Sequence, residues 1–290
     1  MQIAAIVSFL DEERHLPTLL DSIAAQTRRP DRVLLVDDGS RDGSAALAEA
    51  FAREHDHATV LRRPSRAVER DRLAAAPELR SFTWALETLE DPWDVVAKLD
   101  ADLRLAPGTL AGIEARFKDD PRLGVVGPRL LSVDEGGRDV SHRTRPEHVE
   151  GAAKFYRREC LEQISPIPPI LGWDTIDEVR ARMRGWRTAG GAPDDEPVLH
   201  LRPMGARDGA VRAFRRWGAC AYAYGEHPLH VLLVGARRLP ERPVVLGGTS
   251  YVAGWALAAL HRAPRAEPEL RAYVRRDQLG RLARRAQGRG

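Results

Sequence analysis

Cysteine is nearly absent: two in 290 residues, Cys160 and Cys220. Two cysteines build neither a disulfide framework nor a cysteine metal knuckle, which fits a reducing compartment. No glycine-rich phosphate loop of the P-loop or G-x-G-x-x-G kind follows any apolar run, so a phosphate ligand would have to be held by other means. The opening "MQIAAIVSFLDEERHL" lacks a basic leader and a small-residue cleavage site and reads as a strand. Uncharged apolar stretches are short. The longest, residues 243–260 ("PVVLGGTSYVAGWALAAL"), is borderline for the ~20 residues a spanning helix needs and is interrupted by Pro, a Gly pair, Thr and Ser.

Lysine is missing from the tail. From Arg207 onward there are 16 Arg, no Lys and 6 acidic residues, a balance of +10 within a chain whose net charge is +3, which leaves the first 206 residues at −7. An acidic front and an arginine-rich back imply different partners. The expected organisation is a catalytic domain over 1–206 and a basic, partly apolar helical extension over 207–290. No reader motif or aromatic interleaving accompanies the arginines, so nucleic acid is not the expected partner. The ending "LRAYVRRDQLGRLARRAQGRG" instead has the character of a basic helix that lies on anionic lipid.

The front half alternates apolar runs with helical periods: "IAAIVSF", "LPTLLDSIAAQ", "RVLLVDD", "GSRDGSAALAEAFAREH", "ATVLRR", "LRSFTWALETLE", "DVVAKLD", "PGTLAGIEARFKDD" and "LGVVGPRLL". Strands separated by helices predict an α/β domain with a mostly parallel sheet and right-handed crossovers. Ligands of such sheets gather at the carboxyl ends of the strands. Residues 133–149 read as a loop, and "GWDTIDEVRARMRGW" as a helix with Ile176, Val179, Met183 and Trp186 on one stripe.

Two acidic strand ends fall at that edge. Asp100 and Asp102 in "KLDADLRL" are two apart, which in an extended segment turns both carboxylates to one side. Hard cations such as Mn²⁺ or Mg²⁺ take such oxygen ligands and share them with phosphates. Alone, D-x-D is equally a turn and a strand cap, with Lys98 and Arg104 balancing its charge. Asp37 and Asp38 in "VLLVDDGSRDGS" add a second pair, able to accept hydrogen bonds from a base or ribose and also to build a D-G turn. Together they predict a metal-borne diphosphate ligand.

These stretches resemble family 2 glycosyltransferases of the GT-A fold, over roughly residues 1–190. "SFLDEE" parallels the family's P-x-Y-N-E-E, "QTRRPDRVLLVDDGSRDGS" its Q-T-x-x-P-x-E-x-x-x-V-D-D-G-S-x-D-G-S, and "KLDADL" its D-x-D. The resemblance implies inverting transfer of a sugar from a UDP- or GDP-sugar donor to a glycan or lipid-linked acceptor hydroxyl, with Mn²⁺ or Mg²⁺. It puts Phe9 and Asp38 in the base pocket with Asp37 in support, and Arg66 or Arg70 against base or diphosphate. Asp100 and Asp102 would hold ribose and metal, and His200 is a candidate third metal ligand. Asp174 occupies the general-base position, with Trp173 where the family has glutamate. Thr83 and Ala85 replace an asparagine and a glycine. Asp177 and Glu178 are expected only to complement the helix dipole.

The C-terminal part is similar to membrane-associated extensions in this family. It implies peripheral attachment at the cytoplasmic face and a place in surface polysaccharide or glycolipid synthesis. A sugar nucleotidyltransferase and a non-catalytic nucleotide-sugar-binding protein are the alternatives. The first would want a glycine-rich loop after the first strand, which "SFLDEERH" lacks. Intact Asp100, Asp102 and Asp174 argue against the second.

Overall fold

The computed structural model describes residues 1–63, 76–90, 92–132, 145–202, 209–241 and 243–286. Arg66, Arg70 and most of the expected 133–149 loop lie outside them. The chain begins β1 (Ile3–Phe9), α1 (Leu16–Ala24), β2 (Arg32–Asp37), α2 (Ser44–Glu54), β3 (Ala58–Arg62), α3 (Pro77–Glu87) and β4 (Val95–Asp100). It continues with β5 (Leu103–Arg104), α4 (Thr109–Asp119), β6 (Leu123–Val126), β7 (Leu130–Ser132), β8 (Ala153–Arg157), α5 (Arg158–Ile164) and α6 (Trp173–Met183). Then come β9 (Arg187–Ala189), β10 (Val198–His200), α7 (Ala210–Tyr224), α8 (Pro228–Arg237), α9 (Leu246–Leu260) and α10 (Pro268–Ala286).

These elements form two compact units. The first takes the described residues within 1–72, 77–165 and 184–203, and the second those within 73–76, 166–183 and 204–290.

The first unit is built on a seven-stranded sheet in the order β3-β2-β1-β4-β8-β6-β9, beside a three-stranded sheet β5-β10-β7. Strands β3, β2, β1 and β4 are mutually parallel. The near-continuous burial of β1, β2 and β4 explains their unalternating apolar sequences, because both faces are covered. On one face Leu16, Leu19, Leu20 and Ile23 of α1 pack at helical spacing on Ile3, Ala5, Val7, Val33, Leu35, Ala97 and Leu99. Register then fixes the site: Phe9 lies opposite Asp37, and Ser8 opposite Asp100, so β1, β2 and β4 end together.

Two expectations are corrected and one strand is added. "LGVVGPRLL" is not one strand. It breaks after Val126, with β6 in the large sheet and β7 in the small one, consistent with Pro128, which has no N–H to give a ladder. Strand β8, unseen in the sequence, runs antiparallel between β4 and β6. The stripe of α6 stops at Met183, because Gly185 turns the chain at φ +87°. Trp186 lies outside the helix and donates to the Gln163 side chain at 2.9 Å.

The second unit is helical. Ile176 and Val179 of α6 pack with Ala266, Leu270 and Val274, the last two from α10. Asp177 and Glu178, expected only to complement the helix dipole, are 0% and 1% exposed. Glu178 is 3.4 Å from Arg182. Helices α7 and α9 touch backbone to backbone. A Cβ added to Gly218 would lie 1.9 Å from the Tyr251 carbonyl oxygen, and one on Gly254 1.9 Å from that of Arg215. Among the described residues no helix is long and apolar enough to cross a membrane; the borderline stretch 243–260 supplies the 15-residue α9.

Candidate active site

At the carboxyl edge of the parallel strands, each acidic residue has its own partner. Asp37 Oδ1 accepts from the backbone N–H of Gly39 (3.2 Å) and Ser40 (2.8 Å). Gly39 has φ +91°, the left-handed conformation a D-G turn needs. Asp38 accepts from Arg63 Nη1 at 2.9 Å, and the same guanidinium nitrogen donates to Ser81 Oγ at 2.9 Å. Phe9 is 3% exposed within the core, and its carbonyl accepts from Asp38 N–H at 3.0 Å. Thr83, in the position of the family's asparagine, spends its hydroxyl on the carbonyls of Leu79 and Arg80 in its own helix.

Asp100 ends β4 and pairs with Lys98 on the same sheet face. Lys98 Nζ also donates to the Gly151 carbonyl at 2.8 Å, so a buried ammonium ties Asp100 to the turn before β8. Burial pushes the Asp100 pKa up to about 6, with the Asp102 charge adding to it and Lys98 pulling against both.

Asp102 lies in the turn between β4 and β5. Antiparallel pairing sets His200 opposite Leu103, and Leu201 N–H donates to the Asp102 carbonyl at 2.8 Å. His200 Nε2 therefore comes within 3.3 Å of the Asp102 carboxylate, with Arg202 Nη1 at 3.6 Å. Burial works against ionising Asp102, but the His200 hydrogen bond and charge, with Arg202, hold it below the usual carboxylate range. The His200 pKa is raised: burial opposes its charge and Asp102 outweighs burial. Arg202 is also a fork on Glu12, with Nη1–Oε1 3.1 Å and Nη2–Oε2 2.5 Å, which joins the D-x-D turn to the chain after β1.

The donor chemistry fits a hard divalent cation. A carboxylate and an imidazole adjoin at Asp102 and His200, a second carboxylate two residues away has a raised pKa, and His200 Nδ1 is buried without a hydrogen-bond partner. The three are not drawn into a cage: among the described residues no three His, Cys, Asp or Glu are grouped to hold a metal.

Lys98, Arg63 and Arg202 carry this site's charge balance; the sequence suggested that role for Lys98, beside Arg104, but not for Arg63 or Arg202. Lys98 had a signal, being two residues from Asp100 on one strand. Arg63 and Arg202 had none, since their partners lie 25 and 190 residues away.

Asp174 belongs to the second unit, in the first turn of α6, after Gly172 at φ +80°. A Cβ on Gly172 would lie 3.3 Å from Cys220 Cβ, so the turn runs against α7. Burial, then the charge of Asp174, pushes the Cys220 thiol far above its ordinary pKa and keeps it unreactive.

Comparison with known proteins identifies the family and the fold. Residues 4–169 match the model of glycosyl transferase family 2. An undecaprenyl-phosphate mannosyltransferase of Micrococcus luteus is 29% identical over 161 residues, 56% of this chain and 60% of the relative, so the match spans about three fifths of that protein. Among solved structures, the mannosyltransferase PcManGT of Pyrobaculum calidifontis, in complex with GDP-Man and Mn²⁺, superposes with TM-score 0.56 at 18% identity, over 98% of this chain and 80% of that one. TarS of S. aureus in complex with UDP-GlcNAc gives 0.54 at 14%, over 94% and 78%. The fold is of the GT-A type, and the chain belongs to glycosyl transferase family 2.

Proposed function

We propose that the chain is a metal-dependent inverting glycosyltransferase that moves a sugar from a UDP- or GDP-sugar to an acceptor hydroxyl. The observation that carries the reading is the common ending of β1, β2 and β4, which gathers Asp37, Asp38, Asp100 and Asp102 at one sheet edge. Asp38, positioned by Arg63, accepts from the base, while Asp37 holds the turn beneath it. Asp100 accepts from the ribose. Asp102 and His200 would hold Mn²⁺ or Mg²⁺, which supplies positive charge against the departing diphosphate when bound. Arg202, shared between Glu12 and Asp102, keeps Asp102 ionised and fixed in direction. Asp174 takes the proton of the acceptor hydroxyl as its oxygen attacks the anomeric carbon. The family resemblance supports that role.

The acceptor is a glycan or a lipid-linked sugar, as in surface polysaccharide or glycolipid synthesis, and the protein works at the cytoplasmic face of a membrane. The relative that acts on undecaprenyl phosphate and the basic helical unit support this.

The test is thermal melting with nucleotides, in Mn²⁺ or in EDTA. A nucleotide at a hundredfold excess over its Kd adds about 2.7 kcal/mol to folded-state stability. UDP or GDP raises Tm with Mn²⁺, and Asp102→Ala abolishes the shift. Asp174→Asn keeps the shift and loses turnover. A folded protein that shifts with no nucleotide refutes the donor site.

A further inference from the structure

Helix α8 is apolar on two opposite sides. Val231 and Gly235 face inward and are buried. A quarter to half a turn away, Leu229, Leu232, Leu233 and Ala236 repeat at the spacing of one helical stripe and face solvent, the three leucines 49%, 56% and 41% exposed. The stripe continues through Leu239 into the turn before α9, where Val244, Val245 and Leu246 are 59%, 53% and 55% exposed. Half-exposed side chains in this number make an apolar patch on the order of several hundred Å², at the limit of what a monomer leaves to water.

The turn is held in that presentation at a conformational cost. Val245 sits at φ +66°, ψ −49°, with Leu246 N–H donating to the Val244 carbonyl at 2.8 Å. This is the rare positive-φ γ-turn, and a β-branched residue is unfavourable there. Its own N–H donates to the Leu239 carbonyl at 2.7 Å, and its carbonyl accepts from Thr249 at 3.1 Å. Three consecutive apolar residues pushed into water by a strained, well-bonded turn break the usual surface pattern, as binding elements do.

The surrounding charge selects the occupant. Between residues 209 and 262 there are seven arginines and two acids, Glu226 and Glu241. Glu226 is buried and accepts from the hydroxyls of Tyr224 (3.1 Å) and Tyr251 (2.9 Å). Glu241 is paired with Arg238 at 3.4 Å. Arg212, Arg215, Arg237 and Arg262 are exposed. An exposed apolar stripe with Arg237 on its own helix, in a unit whose helices α7 and α8 carry exposed arginines and, like α9, no acid, matches a bilayer whose headgroups are anionic.

We propose that the outward face of α8 and the Val244–Leu246 turn form the docking surface of this protein on anionic lipid, inserting Leu232, Leu233 and Val245 below the headgroups. Apart from its first residue, Leu246, α9 lies outside this surface and packs on α7, while α10 packs on α6. The proposal deepens the membrane contact given above and stands apart from the donor-site chemistry.

The experiment is flotation of the full chain with vesicles of phosphatidylcholine alone or with about 30% phosphatidylglycerol, in low and high salt. Wild type floats with the anionic vesicles, less so in high salt. Leu232→Glu/Leu233→Glu and Val245→Glu each lower partitioning at least tenfold. Both variants keep the wild-type nucleotide-induced Tm shift, so a failed donor site is seen separately. No flotation of wild type overturns the proposal, as does flotation unchanged in both variants. A concentration-dependent dimer in light scattering that the same variants abolish, without vesicle binding, overturns it too and assigns the face to a second copy of the chain.

Discussion

Replacing Lys98 by methionine removes the cation that pairs with Asp100. The Lys98 side chain is 3% exposed, and that of the Asp100 it serves is 30% exposed. Breaking a fully buried pair costs about 3–5 kcal/mol. Two features reduce that here. Asp100 is partly wetted, and Lys154, buried directly across on β8, loses a like-charged neighbour when Lys98 goes. The expected loss is about 2 kcal/mol, which in a unit of this size lowers Tm by about 4–8 °C. The pH dependence identifies the cause. Asp100 titrates at about 6 in the folded chain against a reference of 3.8. A carboxyl whose folded pKa is raised weakens the fold as pH rises through that window, and losing Lys98 raises the folded value further. In metal-free protein the Lys98→Met deficit is therefore small near pH 5 and widens above about pH 6. Melting curves across pH read this directly, and Lys98→Met/Asp100→Asn recovers most of the loss at neutral pH. A deficit that is independent of pH and persists beside Asp100→Asn refutes the reasoning.

Gly254→Ala puts a methyl 1.9 Å from the Arg215 carbonyl, a backbone atom of α7 that cannot rotate away. It costs about 2–3 kcal/mol in chemical denaturation. Gly112→Ala, in α4 with nothing within 4 Å of the new Cβ, is the opposite case and adds about 0.5–1 kcal/mol. Asp31→Asn weakens hydrogen bonds to Ile3 N–H and Arg28, both 2.7 Å, and costs about 1 kcal/mol after allowance for exposure. Burial would raise the Asp31 pKa, but these bonds win and lower it, so its contribution is full above the unfolded value and fades as pH falls through the folded one. The deficit of Asp31→Asn in urea titrations accordingly shrinks below about pH 4.

The acidic edge was legible because local chemistry makes it. Apolar runs without alternation mark β1, β2 and β4 as parallel and doubly covered, and D-D-G-S and D-A-D punctuate their ends. The rest depends on pairing at long range. Strand β8 is five residues long and reaches the middle of the sheet only through its antiparallel register with β4. His200 meets Asp102 because two short strands pair, β5 and β10, neither more than three residues long. Asp177 and Glu178 look like surface residues in any helical pattern, and only the packed structure shows them buried. The leucine stripe of α8 fails in the other direction: periodicity reveals an apolar face but not what covers it.

Helix α6 interrupts the sheet-bearing unit in sequence, yet its apolar side is completed by Leu270 and Val274, some ninety residues later in α10. The C-terminal region is thus no detachable appendage. Truncating the chain after the last strand would strip the floor from beneath Ile176 and Val179 and loosen the helix whose first turn carries Asp174. A chimera that exchanged the tail alone would inherit the same defect. Whatever drift the tail undergoes is constrained by a helix encoded far upstream, so segments 166–183 and 204–290 must be moved together, as one inheritable part.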